Sequence, residues 1–194
     1  MAKITRDSLM TLETYAKKRE DYRSQVMAHK KVRTLHLGDH VTLIFEDELT
    51  MRYQVQEMLR VEKIFEEAGI QDELDAYNPL IPDGSNWKAT LMIEYAEVAE
   101  RARMLALMKG IEDRVWVRVN GFEPVYAIAD EDLERENSEK TSAVHFLRFE
   151  LTAQSVRALK AGATLGAGVD HPHYQATVAA LAGPTLAALK LDLA

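Results

Sequence analysis

Between residues 89 and 169 the chain alternates short apolar and β-branched runs with helix-periodic ones, and this alternation restricts the available folds more than any other feature. Ala89 to Glu94 reads as a strand, Glu97 to Lys109 as a helix, and Arg114 to Val119 with Glu123 to Ile128 as a hairpin around Asn120-Gly121. Ser142 to Leu151 reads as a further strand, Thr152 to Lys160 as a helix, Ala163 to Val169 as a strand, and the stretch from Tyr174 onward as a helix. A β-α-β-β-β-α-β order with an Asn-Gly hairpin predicts an α+β fold, a two-layer sandwich in which helices pack on a mixed or mostly antiparallel sheet. The run Asp130 to Lys140 (DEDLERENSEK) is almost free of apolar residues, so an exposed and mobile loop is expected there.

The first half is more helical. Asp7 to Tyr15 and Lys18 to Lys31 read as two helices, the first capped by Thr5 or Asp7. Val32 to Leu37 and Val41 to Phe45 flank a turn at Gly38-Asp39 and predict a β-hairpin. Thr50 to Glu67 predicts a helix that Gly69 ends, and a shorter helix over Gln71 to Tyr77 stops at Asn78-Pro79. Leu80 to Asn86 is read as a loop. At 194 residues the expectation is one domain, with a basic helical arm over 1–35 and an α+β core over 36–194. Gly183-Pro184 interrupts the Ala- and Leu-rich C-terminal stretch, which predicts two short helices. That apolar end either docks on the sheet or contacts a second copy in a homo-oligomer, and docking at home is the expectation.

Composition excludes several activities. Without cysteine there is no disulfide, thiolate metal site, iron–sulfur ligation or Cys nucleophile. A net charge of -7 argues against a general nucleic-acid grip. No apolar run approaches the roughly 18 to 20 residues of a membrane helix, and the first residues lack a signal-peptide core, so a cytoplasmic protein without membrane attachment is expected. Charge is nevertheless segregated. The first forty residues carry nine Lys or Arg against five acids, whereas Glu46 to Asp75 carries ten acids against three bases. The basic arm can therefore pack on the acidic helix of its own chain, or on that of another molecule. No phosphate-binding glycine loop, Glu-x-x-His pair or Gly-x-Ser-x-Gly elbow occurs.

Polar residues interrupt faces that should be apolar. On the Thr50 to Glu67 helix, Met51, Val55, Met58, Leu59, Val61 and Phe65 share one arc, with Glu62 at its centre, Gln54 near its edge and Glu57 on its flank. A carboxylate there needs a partner, or else has to emerge between its neighbours. The strand Ser142 to Leu151 is apolar on both faces and places His145 on one and Arg148 on the other. Glu46 and Glu94 end two strands. If strand ends converge, Glu46, Glu94 and His145 gather near the helix that carries Glu57 and Glu62, a set suited to a small ligand or a divalent metal, with Glu46, Glu57, Glu94 and His145 as the ligands. A hydrogen-bonded core histidine is the plainer alternative. His171 and His173, around Pro172, read as a strand-to-helix connection.

Four segments taken together, Phe45 to Ile64 (FEDELTMRYQVQEMLRVEKI), Glu73 to Pro82 (ELDAYNPLIP), Ala89 to Glu94 (ATLMIE) and Ser142 to Phe149 (SAVHFLRF), resemble an uncharacterised bacterial family known only as a domain of unknown function. The resemblance runs over nearly the whole chain from Lys30 onward. It implies genes that neighbour rubrerythrin and iron–sulfur oxidoreductases related to heterodisulfide reductase, hence a partner of one of those kinds. No catalytic residue carries over. What carries over is the position of the motif polar residues Glu46, Gln54, Glu57, Glu62, Tyr77, Asn78, Glu94, His145 and Arg148.

Three functions compete at this stage. One is a non-enzymatic accessory or small-ligand-binding protein of a peroxide or iron redox system. Another is a metal-dependent enzyme, with Glu62 as general acid or base beside the carboxylate and histidine ligands. The third is a structural or interaction protein in which Glu62 and Arg148 form a buried ion pair.

Overall fold

The computed structural model describes residues 3–131, 135–137, 139–181 and 183–194. In chain order its elements are α1 (Leu12–Lys31), β1 (Thr34–Leu37), β2 (Val41–Phe45), α2 (Glu48–Val61), α3 (Glu67–Tyr77), β3 (Asn86–Ile93), α4 (Val98–Leu107), β4 (Val115–Val119), β5 (Val125–Tyr126), β6 (Ile128–Ala129), β7 (Val144–Glu150), α5 (Ala153–Lys160), β8 (Leu165–His171), β9 (Tyr174–Val178) and α6 (Gly183–Leu191). The α+β class holds, but the strands form two antiparallel sheets instead of one: β1-β2-β3-β7-β6 and β5-β4-β8-β9. The division falls within the strand expected over Glu123 to Ile128. Val125 and Tyr126 pair with β4, and after Ala127 the chain crosses so that Ile128 and Ala129 pair with β7.

Both sheets contribute to one hydrophobic core. Leu43, Phe45, Trp87 and Leu91 from the five-stranded sheet share it with Val115, Val117, Leu165 and Ala167 from the four-stranded sheet, joined by Leu159 of α5 and Leu189 of α6. Burial of so many large apolar side chains, at about 1.5 to 3 kcal/mol each, is the main force holding the sheets together. Polar contacts fix the geometry. The Tyr174 hydroxyl of β9 donates to the Leu37 carbonyl (2.6 Å) and accepts from the His40 amide (3.0 Å), tying the β1–β2 turn to the second sheet. Trp87 Nε1 donates to the Leu189 carbonyl (2.9 Å), and buried Asp192 pairs with buried Arg33, so the C-terminal end docks on its own chain. A second, smaller core joins Ile4 and Leu9 to Met51, Val55 and Leu59 of α2 and to Ile70 and Leu74 of α3.

Several expected elements differ. The two N-terminal helices are a 3-10 turn over Arg6–Ser8 and the single helix α1, capped where the Thr11 side chain accepts from the Thr14 amide. No proline or glycine between Tyr15 and Lys18 would break it. Helix α2 starts on a reciprocal cap between Asp47 and Thr50 and stops at Val61, because Lys63 adopts a left-handed φ of 55° that turns the chain toward α3. The helix expected from Tyr174 is strand β9, paired with β8 through a turn at Pro172-His173. Gly183-Pro184 opens one C-terminal helix and does not divide two, since proline is well accommodated in a first helical turn. Of the Asp130 to Lys140 run, residues 132–134 and 138 lie outside the described residues. Within the rest, Asp130 and Arg135 are largely covered and ion-paired at 3.1 Å, so the run is not the uniformly exposed loop expected.

The basic arm packs on the acidic helix of the same chain. Arg19 forms two hydrogen bonds of 2.8 Å to Glu57 of α2, and His29 lies 2.6 Å from Asp47.

Candidate functional site

Alternation along the central strands generates two faces of opposite character. On β3, Trp87, Ala89, Leu91 and Ile93 enter the core, which leaves Lys88, Thr90 and Met92 on the outer face. On β7, His145, Leu147 and Phe149 point inward, and Phe146 and Arg148 point outward. The register sets Lys88 opposite Arg148 and Thr90 opposite Phe146. The Glu46 amide donates to the Lys88 carbonyl (2.8 Å), so Glu46, Lys88 and Arg148 form one row across the outer face. Asn86 and Glu150 form the next row. Above these rows lies a cleft of about 580 Å³. Lys88, Phe146 and Arg148 line it from the sheet, and Asp75, Ala76, Pro79 and Leu80 from the end of α3 and the turn after it.

The carboxylates around this cleft are committed to the protein. Glu131 accepts two hydrogen bonds of 2.8 Å from Arg148, whose guanidinium holds its carboxyl below the usual range. Burial pushes Glu150 up, but hydrogen bonds from Ser85, Asn86 and Arg148 outweigh it and leave a lowered pKa. The Ser85 amide and hydroxyl hold Asp83 low, and Asp75 accepts from Gln71 (2.7 Å). Lys88 is different. Among the described residues its amine makes no hydrogen bond and no ion pair, although it is half-buried at the cleft. Burial first, and then the neighbouring Arg148, hold the amine below the ordinary lysine range. Glu131, Asp83 and Glu150 attract the amine from a distance without bonding it, and a half-buried cation beside an apolar wall is a place where an anionic group gains both charge pairing and desolvation.

The residues expected to converge do so only in part. Glu46 and Arg148 share the row with Lys88. Glu46 is buried, with Oε1 accepting from Thr90 (2.6 Å) and Oε2 without a hydrogen-bond partner among the described residues. Gln54 hydrogen-bonds the Tyr77 hydroxyl, whose pKa burial raises. Asn78 clamps the N-terminal segment through both the amide and the carbonyl of Ile4. Glu57 lies between α1 and α2, accepting from Tyr15, Arg19 and Arg60. Glu62 is exposed at the C-cap of α2, because the helix ends before the arc on which it was placed is complete. It makes no buried pair with Arg148, whose partners are Glu131 and Glu150. Glu94 is exposed at the far end of the β2–β3 ladder, accepting from Thr42. His145 is buried on the inner face. Glu46, Glu57, Glu94 and His145 are therefore distributed over four separate environments and do not form one ligand set.

His145 has other companions. Its Nδ1 lies 2.6 Å from Asp130 Oδ2, and its Nε2 lies 3.0 Å from Thr141 Oγ1, 3.0 Å from the Ser142 carbonyl and 3.8 Å from Glu112 Oε2. Burial raises the Glu112 pKa. Sequence reasoning missed Lys88, Glu112 and Asp130. Lys88 had a visible signal, a cation at an alternate position of the apolar run Trp87 to Ile93. Asp130 was hidden in a stretch read as solvated linker.

The model of the family described as "Protein of unknown function (DUF3501)" matches residues 3–193. The chain is similar to a novel protein of unknown function from Burkholderia pseudomallei K96243, known from a crystal structure at 1.90 Å, with 58% identity over 100% of both chains and a TM-score of 0.94. No curated protein matches.

Proposed function

The chain belongs to the DUF3501 family, and from that premise we propose that it is a non-enzymatic accessory protein that binds a small anionic molecule, a carboxylate or a phosphate ester, in the cleft over Lys88. The observation that carries this reading is the half-buried Lys88 amine, which lines the cleft without a hydrogen bond or ion pair among the described residues, while Asp83, Glu131 and Glu150 are engaged by other donors. The ligand's anionic group pairs with Lys88, and its carbon skeleton lies against Pro79, Leu80 and Phe146. Arg148, locked by Glu131 and Glu150, shapes the floor and is not the principal contact.

The cellular half of the reading is a cytoplasmic role in a peroxide or iron redox system beside rubrerythrin or an iron–sulfur oxidoreductase subunit. It is supported by the motif resemblance described above. Among the described residues no helix is long and apolar enough to cross a membrane. Pull-down of the tagged chain from a native host is expected to recover one of those partners, and recovery of neither contradicts this half.

The binding half is tested by thermal melts and calorimetry with a panel of short carboxylates and phosphate esters. A ligand at 100 times its Kd stabilises the folded state by about 2.7 kcal/mol. At least one compound is expected to raise the melting temperature of the native chain, and Lys88→Met is expected to bind it at least tenfold more weakly. Equal binding by Lys88→Met, or no response to any compound, contradicts the proposal.

A further inference from the structure

On the other face of β7, the His145 ring is pinned from one side and open to oxygen donors on the other. Asp130 Oδ2 takes Nδ1 at 2.6 Å, while Asp130 Oδ1 accepts from the Phe146 amide (2.9 Å) and the Asp130 amide donates to the Phe146 carbonyl (2.8 Å). These bonds hold Asp130 at φ 49°, a left-handed conformation that is strained for a non-glycine residue and persists only where its surroundings enforce it. With Nδ1 directed at Asp130, Nε2 faces the Ser142 carbonyl, the Thr141 hydroxyl and the Glu112 carboxylate.

Such a convergence of acceptors in a buried site calls for either a shared proton or a cation at its centre. Three of the four donor spacings suit a metal ion, and Glu112 Oε2 stands a few tenths of an ångström farther from Nε2 than such an ion would set it. Nε2 lies 3.0 Å from Thr141 Oγ1, 3.0 Å from the Ser142 carbonyl oxygen and 3.8 Å from Glu112 Oε2, and Thr141 Oγ1 lies 3.3 Å from Glu112 Oε2. An ion about 2.0 to 2.2 Å from each donor separates neighbouring donors by roughly 3.0 to 3.5 Å. Glu112 and Asp130 also line a surface cleft of about 350 Å³, so two of the residues around the ring reach the surface. We infer that His145 Nε2, Glu112, Thr141 and the Ser142 carbonyl bind a first-row divalent cation, with Asp130 as the residue that orients the imidazole. One nitrogen with oxygen donors and no thiolate fits zinc, manganese or ferrous iron. The carboxylate–histidine arrangement is the outer-shell device that fixes the tautomer of a metal-bound ring.

A proton on Nε2 is the rival occupant, so the experiment has to separate the two. The full chain, stripped with chelator, is titrated with Zn²⁺ and with Mn²⁺ by calorimetry, and nitrogen-15 NMR of the His145 ring follows Nε2. One ion per chain is expected, with a raised melting temperature and loss of any Nε2 proton on zinc saturation. Glu112→Gln, which preserves shape, is expected to weaken binding at least tenfold. Asp130→Asn is expected to weaken it 10- to 100-fold. Because His145→Ala empties a buried position and can fail to fold, these near-isosteric variants carry the test, each checked by its own melt. A folded native chain that binds neither ion, binding undiminished in both variants, or an Nε2 proton that persists at saturating zinc would overturn the inference. Lys88 is on the opposite face of the sheet, so the outcome is independent of the anion-binding proposal.

Discussion

Glu57 accepts hydrogen bonds from Tyr15 at 2.5 Å, Arg19 at 2.8 Å and Arg60 at 3.1 Å, and together these lower its pKa from 4.5 to about 2, with Arg19 the largest contributor and partial burial opposing. A depressed carboxylate pKa adds stability that is fully present above the unfolded value and is lost as pH falls through the folded one. The native chain should therefore lose stability from about pH 4.5 down toward pH 2, and Glu57→Gln should show a flatter acid limb in pH-dependent melts. At neutral pH the substitution is expected to cost about 2 kcal/mol, the scale of hydrogen bonds to a charged group. An acid limb unchanged by the substitution contradicts this account of Glu57. Helical periodicity placed Glu57 on the flank of an apolar face but could not say that α1 lies against it, so a structural anchor reads from sequence like a site residue. Glu62 was misplaced for a related reason. Its burial depended on the helix continuing past Lys63, and a left-handed residue other than glycine leaves no mark in the sequence.

Strand β9 shows how an element can be hidden by its neighbours. Tyr174, Ala176 and Val178 are partly covered while Gln175 and Thr177 are exposed, a period of two, yet the Ala- and Leu-rich residues that follow draw the reading toward a helix. Its partner β8 carries a further constraint. A side chain at Gly168 would press into the Trp116 ring and lie 2.7 Å from the Ala176 carbonyl oxygen, so the glycine allows the indole to cross the strand. Gly168→Ala is expected to destabilise the fold by about 1 to 3 kcal/mol in urea unfolding, through overpacking. A loss below about 0.5 kcal/mol would show that the indole shifts freely. The β1–β2 and β4–β5 hairpins and the helix after Leu151 were legible because turn chemistry and helical periodicity are local.

The division into two sheets was not legible, because it depends on which strand pairs with β6, and that pairing is decided by packing far away in sequence. Contacts equally remote close the molecule. Arg33, buried to 2% exposure, donates to the carbonyls of Phe45 and Glu46 and pairs with Asp192 near the other end of the chain. Arg33 also lies 3.3 Å from Asp47, so Asp192→Ala leaves the guanidinium with one charged partner and is expected to cost roughly 1 to 3 kcal/mol in unfolding free energy. A loss under about 1 kcal/mol would mean that the C-terminal end contributes little. The same topology gives the five-stranded sheet one face in the core and one that carries Glu46, Lys88 and Arg148 under the cleft. The candidate site was therefore half legible: two of the three residues in that row were marked, and the third, Lys88, was passed over because a single lysine in a strand usually faces water. The most direct test of the anion-binding account is an NMR titration of the Lys88 ε-methylene and amine signals, with and without the panel of small anions. The account predicts that Lys88 titrates below the ordinary lysine value in the free protein and that its pKa rises when a carboxylate or phosphate ester binds. A Lys88 that titrates at the ordinary value and responds to no anion would contradict it.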